Sequence, residues 1–87
     1  MSNRLEFKVT RLHRLETDSS VKAFVDIAVN DSFLLKGLRI VQGKKGLFVS
    51  MPREKGSDGR WYEVVSLLDP LVRQEVFSLV LKEFEGN

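Results

Sequence analysis

Apolar and polar residues alternate along much of the first two thirds of the chain. Leu5, Phe7 and Val9 stand against Arg4, Glu6, Lys8 and Thr10, a period of two that predicts a strand over residues 4–12. The phase slips between Val9 and Leu12, which predicts a bulge or a change of face. Thr17-Asp18-Ser19-Ser20 reads as a loop. Val21, Ala23, Val25, Ile27 and Val29 then alternate without interruption, the clearest strand in the sequence. Asn30-Asp31 is a tight-turn signal. Phe33 to Val41 forms a second β-rich run, broken by Gly37, where a bulge or phase shift is expected. Gln42-Gly43-Lys44-Lys45-Gly46 reads as a five-residue hairpin loop. Leu47 to Met51 predicts a short strand ended by Pro52, Gly56-Ser57-Asp58-Gly59 a further turn, and Trp61 to Leu67 a last strand.

The spacing changes at Asp69-Pro70. Asp is a good N-cap, and Pro is preorganised for the first helical position, so a helix is predicted from there to about Glu85, stopped by Gly86. Its apolar residues are Leu71, Val72, Val76, Phe77, Leu79, Val80, Leu81 and Phe84. At a helical period most of them cover about half the circumference, wider than the stripe of an ordinary surface helix. Arg73 lies inside that arc, and Gln74, Ser78, Lys82 and Glu85 mark the wet side.

Strands followed by one helix define an α+β fold: a small, mostly antiparallel sheet of about five strands, then a C-terminal α-helix, in a single domain over residues 1–87. One helix covers one face of such a sheet. Phe24, beside Lys22 and Asp26, and Phe48, opposite Leu47 and Val49, belong to the other face. The wide helix stripe and these aromatics both point to a second subunit, so a homodimer is expected. Length strengthens this. A chain of 87 residues buries only roughly 60–65% of the surface its unfolded form exposes, and such thin cores are often helped by disulfides, metals or association. The sequence has no Cys and a single His, which removes disulfides and the usual zinc ligand sets and leaves self-association.

Composition narrows the class further. A hydrophobic content of 43% and a charged content of 30% fit a folded domain. No apolar stretch approaches the roughly 20 residues that span a bilayer, so no membrane partner is expected. The opening Met1-Ser2-Asn3-Arg4-Leu5-Glu6 meets charge before any apolar run, unlike a secretory signal, and the cytoplasm is the expected location. The net charge is only +2, but its distribution is uneven. Residues 36–60 hold Lys36, Arg39, Lys44, Lys45, Arg53, Lys55 and Arg60 against Glu54 and Asp58, a local sum of +5, half of all the Lys and Arg in the chain. The segments on either side, 15–35 and 61–87, each sum to −3.

Catalysis finds little support. His13 lies between Leu12 and Arg14 and reads as a solvated strand-end residue; no serine has a base beside it, and the carboxylates are dispersed. No phosphate-loop or dinucleotide fingerprint is present. Gly43-Lys44-Lys45-Gly46 has the backbone for an anion cradle, but no helix follows it, and a plain hairpin loop is the simpler reading. The basic middle is the stronger lead. Lys44 and Lys45 sit at a hairpin tip, Arg53 and Lys55 follow Pro52, and Arg60 precedes Trp61-Tyr62. Loop-borne cations can reach a phosphate backbone, and the two aromatics are of the kind that stack on bases. The competing reading is a solvated surface over core aromatics.

The run Arg39-Ile40-Val41-Gln42-Gly43-Lys44-Lys45-Gly46-Leu47-Phe48-Val49-Ser50-Met51-Pro52, continuing to Asp58-Gly59, resembles the stage V sporulation protein G (SpoVG) family, the septation regulators. Arg11-Leu12-His13-Arg14-Leu15 is similar to that family's opening segment, and the resemblance extends over about residues 5–84. It implies a small α+β homodimer of the bacterial cytoplasm that binds DNA or RNA and regulates gene expression, septation or development, with no catalysis and no cofactor. Members often follow Met-Pro with Ser-Lys-Arg, a basic pair implicated in nucleic-acid contact. Here Arg53-Glu54-Lys55 stands instead, so a cation moves by two positions and an acid enters. Arg60-Trp61-Tyr62 is more aromatic than the family pattern, and Val64-Val65-Ser66-Leu67-Leu68 less polar. The expected nucleic-acid contacts are Lys44, Lys45, Arg53, Lys55 and Arg60, extended by Arg39 or Arg73. The alternative is a protein-interaction adaptor in division or regulation that does not touch nucleic acid.

Overall fold

The computed structural model describes residues 5–16 and 18–86. Arg4, in the expected first strand, and Thr17, in the expected loop, lie outside the described residues. The chain forms β1 (Phe7–Arg14), β2 (Val21–Val29), β3 (Phe33–Gly43), β4 (Gly46–Ser50), β5 (Arg53–Lys55), β6 (Trp61–Glu63) and α1 (Pro70–Gly86). The first four strands pair antiparallel in the order β1-β2-β3-β4, and β5 and β6 form a separate two-stranded sheet. The α+β class expected from the sequence is the one observed.

The turn between β2 and β3 is built from residues that accept left-handed backbone. Asn30 and Asp31 have φ of 52° and 51°, and the Ser32 N–H donates to the Val29 carbonyl at 2.8 Å. Positive φ at both central residues is the type I′ requirement, and its twist matches the flanking strands. The ladder carries three register shifts. Thr10 is the extra residue in β1, Lys22 in β2, and β3 bulges at Lys36-Gly37. Gly37 has φ +89°, a backbone that side chains rarely adopt, and its N–H is met by the Asp26 carboxylate at 3.1 Å. The Asp26 carbonyl also accepts from the Thr10 hydroxyl at 3.3 Å, so one residue stands at two of the three bulges.

Among the described residues, six strands stand where about five were expected, because Arg53–Lys55 forms a strand the sequence reading left out, and several boundaries shift. β1 starts at Phe7 and runs to Arg14, which leaves Leu5 and Glu6 outside the ladder. The β3–β4 loop is two residues long, Lys44-Lys45, because Gly43 and Gly46 form the last rung instead of lying in the loop. The last strand stops at Glu63. The Val64 N–H still donates to the Pro52 carbonyl at 3.0 Å, but Pro52 has no N–H to return, and the ladder ends there.

The core lies between the sheet and the helix. Ala23, Val25, Ile27, Leu38, Ile40, Val49 and Met51 are buried against Val76 and Val80. Val72, Phe77, Leu81 and Phe84 pack around them half-buried, whereas Leu71 stays 75% exposed, so only part of the wide apolar arc is covered. Asp69 caps the helix: its carboxylate accepts from the Leu71 N–H at 2.9 Å. The other end is tied by Arg14, whose guanidinium donates to the Phe84 carbonyl and lies 4.2 Å from the Phe84 ring centre. Among the described residues, no helix is long and apolar enough to cross a membrane.

Candidate nucleic-acid interface

Among the described residues, the helix packs on one face of the sheet and leaves Phe24 and Phe48 exposed on the other. Antiparallel partners share a face, so the pairs His13 with Phe24, Phe24 with Arg39, and Arg39 with Ser50 draw one row of side chains across all four strands. Arg11 and Asp26 pair on one side of this row, and Val41 and Phe48 on the other. Phe24 is 37% and Phe48 49% exposed, as expected for aromatics on the open face.

The hairpin reaches this face through Trp61. The Arg39 guanidinium lies 5.7 Å from the Phe24 ring centre and 5.9 Å from that of Trp61. Half-buried Arg39 therefore bridges two rings carried by different sheets. Such cation–π contacts strengthen as the cation loses water. Trp61 remains 55% exposed, so one side of this arrangement faces solvent.

Register sorts the hairpin residues. Arg53 pairs with Glu63, Glu54 with Tyr62, and Lys55 with Trp61. Alternation puts Arg53, Lys55, Trp61 and Glu63 on one face and Glu54 with Tyr62 on the other. Glu54, the acid that enters the basic segment, is thus directed away from the two cations beside it. Arg60 is exposed and immediately precedes Trp61.

Tyr62 belongs to the turn. Its hydroxyl donates to the Asp58 carboxylate, which also accepts from the Arg60 N–H at 2.9 Å. The first bond, then the second, holds the Asp58 carboxyl below the ordinary aspartate range, and the same Tyr62–Asp58 bond pushes the Tyr62 phenol up. Gly56 lies beneath the ring, and a Cβ there would come within 2.9 Å of Tyr62 Cε2 and oblige the ring to shift. The sequence reading treated Trp61 and Tyr62 as two stacking residues. The structure separates them: Trp61 meets Arg39, and Tyr62 is engaged in its own turn.

The remaining expected cations fall in two places. Lys44 and Lys45 are exposed at the far tip of the β3–β4 hairpin. Arg73, exposed in the first turn of the helix, donates to the Leu67 carbonyl at 2.9 Å and shares a shallow concavity with Arg53, Glu63 and Phe48 at the β4 edge. The structure thus brings Arg39, Arg53 and Lys55 to the Trp61 side of the hairpin, leaves Arg60 exposed at its turn, sets Arg73 beside Arg53, and leaves Lys44 and Lys45 apart. Sequence reasoning missed the part played by Phe24; the β2–β3 register was the signal that joins it to Arg39. Among the described residues, no three His, Asp or Glu side chains cluster as a metal site.

These features define a small α+β domain: a four-stranded meander under one helix, with a basic and aromatic corner on its open side. Its sequence matches the SpoVG family profile over residues 5–86. It is 38% identical to a candidate septation protein SpoVG of Staphylococcus saprophyticus over 80 residues, 90% of this chain and 79% of that protein. Identity is 36% to the counterpart in Staphylococcus carnosus and 35% to that in Staphylococcus aureus, covering 75% and 80% of those proteins. The chain belongs to the SpoVG family.

Proposed function

We propose that this protein is a nucleic-acid-binding regulator that acts by contact and not by catalysis, as a homodimer in the cytoplasm, on septation, gene expression or development. The observation that carries this reading is the gathering of Arg39, Arg53, Lys55 and Arg60 around one small hairpin, with Glu54 directed to its opposite face. Exposed cations on short, rigid segments suit a phosphate backbone, which rewards charge more than shape. The septation role named for the relatives supports the choice of process.

A second copy is supported by the surface left bare at the start of the helix. Leu68 is 92% exposed, and Val64 and Leu71 are exposed with it. A dimer repeats the basic corner at two fixed points, which raises affinity without new contacts within each site.

The test is binding of DNA and RNA oligonucleotides to the protein and to Arg53→Ala/Lys55→Ala. The double variant is expected to keep its fold and to lose affinity by about tenfold or more, the scale of charge-assisted hydrogen bonds. Unchanged affinity removes this corner from the site. The exposed Leu68 and Leu71 also favour a second reading, an adaptor for a division or regulatory protein. That reading predicts no binding to either nucleic acid and a protein partner released by Leu68→Lys.

A further inference from the structure

We propose that the open face of the sheet is a stacking platform selective for single-stranded nucleic acid, with Phe24 and Trp61 taking bases beside Arg39. This rests on the nucleic-acid-binding reading above and adds to it the class of strand and the place where bases lie.

Phe24 and Trp61 both keep exposed surface, and their ring centres lie 5.7 and 5.9 Å from the Arg39 guanidinium, whose own plane is a stacking surface. Every base has a π-face, so two rings beside a guanidinium accept bases without regard to sequence. In a duplex those π-faces are covered by neighbouring bases, and only an unpaired strand can lay them on a sheet. A four-stranded antiparallel sheet, backed by helix on one face and carrying aromatics on the other, is a geometry that suits this use.

Charge decides between this occupant and an apolar one. The rings are bordered by cations: Arg11 beside the Phe24 row, Lys55 directly across from Trp61, and Arg53 on the same hairpin face. Of the acids on this side, Asp26 is engaged with the Gly37 N–H, and Glu63 is paired across the ladder with Arg53. A rim of cations around exposed rings fits bases flanked by phosphates better than it fits a greasy protein face.

Trp61 is the single tryptophan of the chain, so its fluorescence reports on this face alone. The experiment titrates the full chain with a mixed-sequence single-stranded oligonucleotide and with the same sequence as a duplex, at one moderate salt concentration. Single-stranded binding is expected to quench Trp61 fluorescence and to be at least about tenfold tighter than duplex binding, the scale of one lost base–aromatic stack. Trp61→Leu should weaken single-stranded binding by roughly 5- to 150-fold and leave duplex binding and the salt slope alone, while Trp61→Phe should restore most of the loss. Circular dichroism on both variants controls for folding; if Trp61→Leu does not fold, the quench in the unsubstituted protein and the Phe variant carry the test.

Duplex binding as tight as single-stranded binding, with no quench, overturns the platform while leaving the nucleic-acid reading intact. Loss of self-association in Trp61→Leu also overturns it, because the face would then be covered by a second copy. Absence of binding to either strand form at low salt overturns the broader reading and this one together.

Discussion

Arg14 shows how differently two arginines of one small domain are used. Its guanidinium donates to the Phe84 carbonyl near the helix C-terminus and lies over the Phe84 ring, where a cation also meets the negative end of the helix dipole. Arg39 sits on the opposite face between two rings that stay partly exposed. Replacing Arg14 by Ala should therefore cost stability, about 1–2 kcal/mol, from the lost charged hydrogen bond and cation–π contact. Urea unfolding measures it, and Arg14→Lys should recover only part, since an ammonium lacks the planar fork. A second residue-scale prediction concerns pH. The Asp58 pKa is lowered, so its contribution to the turn is present above the ordinary aspartate value of about 3.9 and is lost as pH falls through the lowered one. The Tyr62 pKa is raised, so its contribution is complete below about pH 10 and is lost as pH rises through the raised value. Between these limits the turn should be indifferent to pH. Titration of the Tyr62 phenol by absorbance should show its pKa returning toward the ordinary value in Asp58→Asn; no change would mean that the bond does not form in solution.

At the scale of elements, the local signals in the sequence were reliable wherever the physics was local. β2 reads as a strand because Val21 to Val29 alternate, the Asn30-Asp31 turn because both residues tolerate positive φ, and the helix start because Asp69 caps it. Replacing Asp69 by Ala should cost about 1 kcal/mol in the same unfolding measurement. The phase slips near Thr10 and Gly37 were also legible as bulges. What they hang on was not: Asp26 serves both through its carbonyl and carboxylate, a matter of cross-strand register. Asp26→Ala should leave the partly buried Gly37 N–H unmet at a cost of about 1–3 kcal/mol, and hydrogen exchange at Gly37 should speed up. The misplaced boundaries have the same origin. Nothing in Gly43-Lys44-Lys45-Gly46 says whether its glycines form a rung or a loop. Nothing in Val64 to Leu67 reveals that the partner across the ladder is a proline.

For the whole molecule, the uneven charge was the legible part of the candidate site and its geometry was not. The +5 segment singled out most of the candidate cations, but Lys44 and Lys45 stand at the far tip of their hairpin, away from Arg39 and from the β5–β6 hairpin that carries Arg53, Lys55 and Arg60. Trp61 and Tyr62 are neighbours in sequence yet face opposite ways, as any two adjacent strand residues do. The thin core beneath one helix, with Leu68 and Leu71 bare beside it, leads to a further prediction. Sedimentation equilibrium should give twice the 10.0 kDa chain mass, and Leu68→Lys with Leu71→Lys should shift it toward the single-chain value. A single-chain mass for the unsubstituted protein would remove the dimer from the account.

The most direct test of the nucleic-acid reading is the affinity for an oligonucleotide measured against salt. Phosphate contacts release counterions, so log K should fall linearly with log salt, and the slope should shrink by about 1–2 per chain in Arg53→Ala/Lys55→Ala. A flat line for the unsubstituted protein, or the same slope in both, would contradict the claim that these cations hold a phosphate backbone.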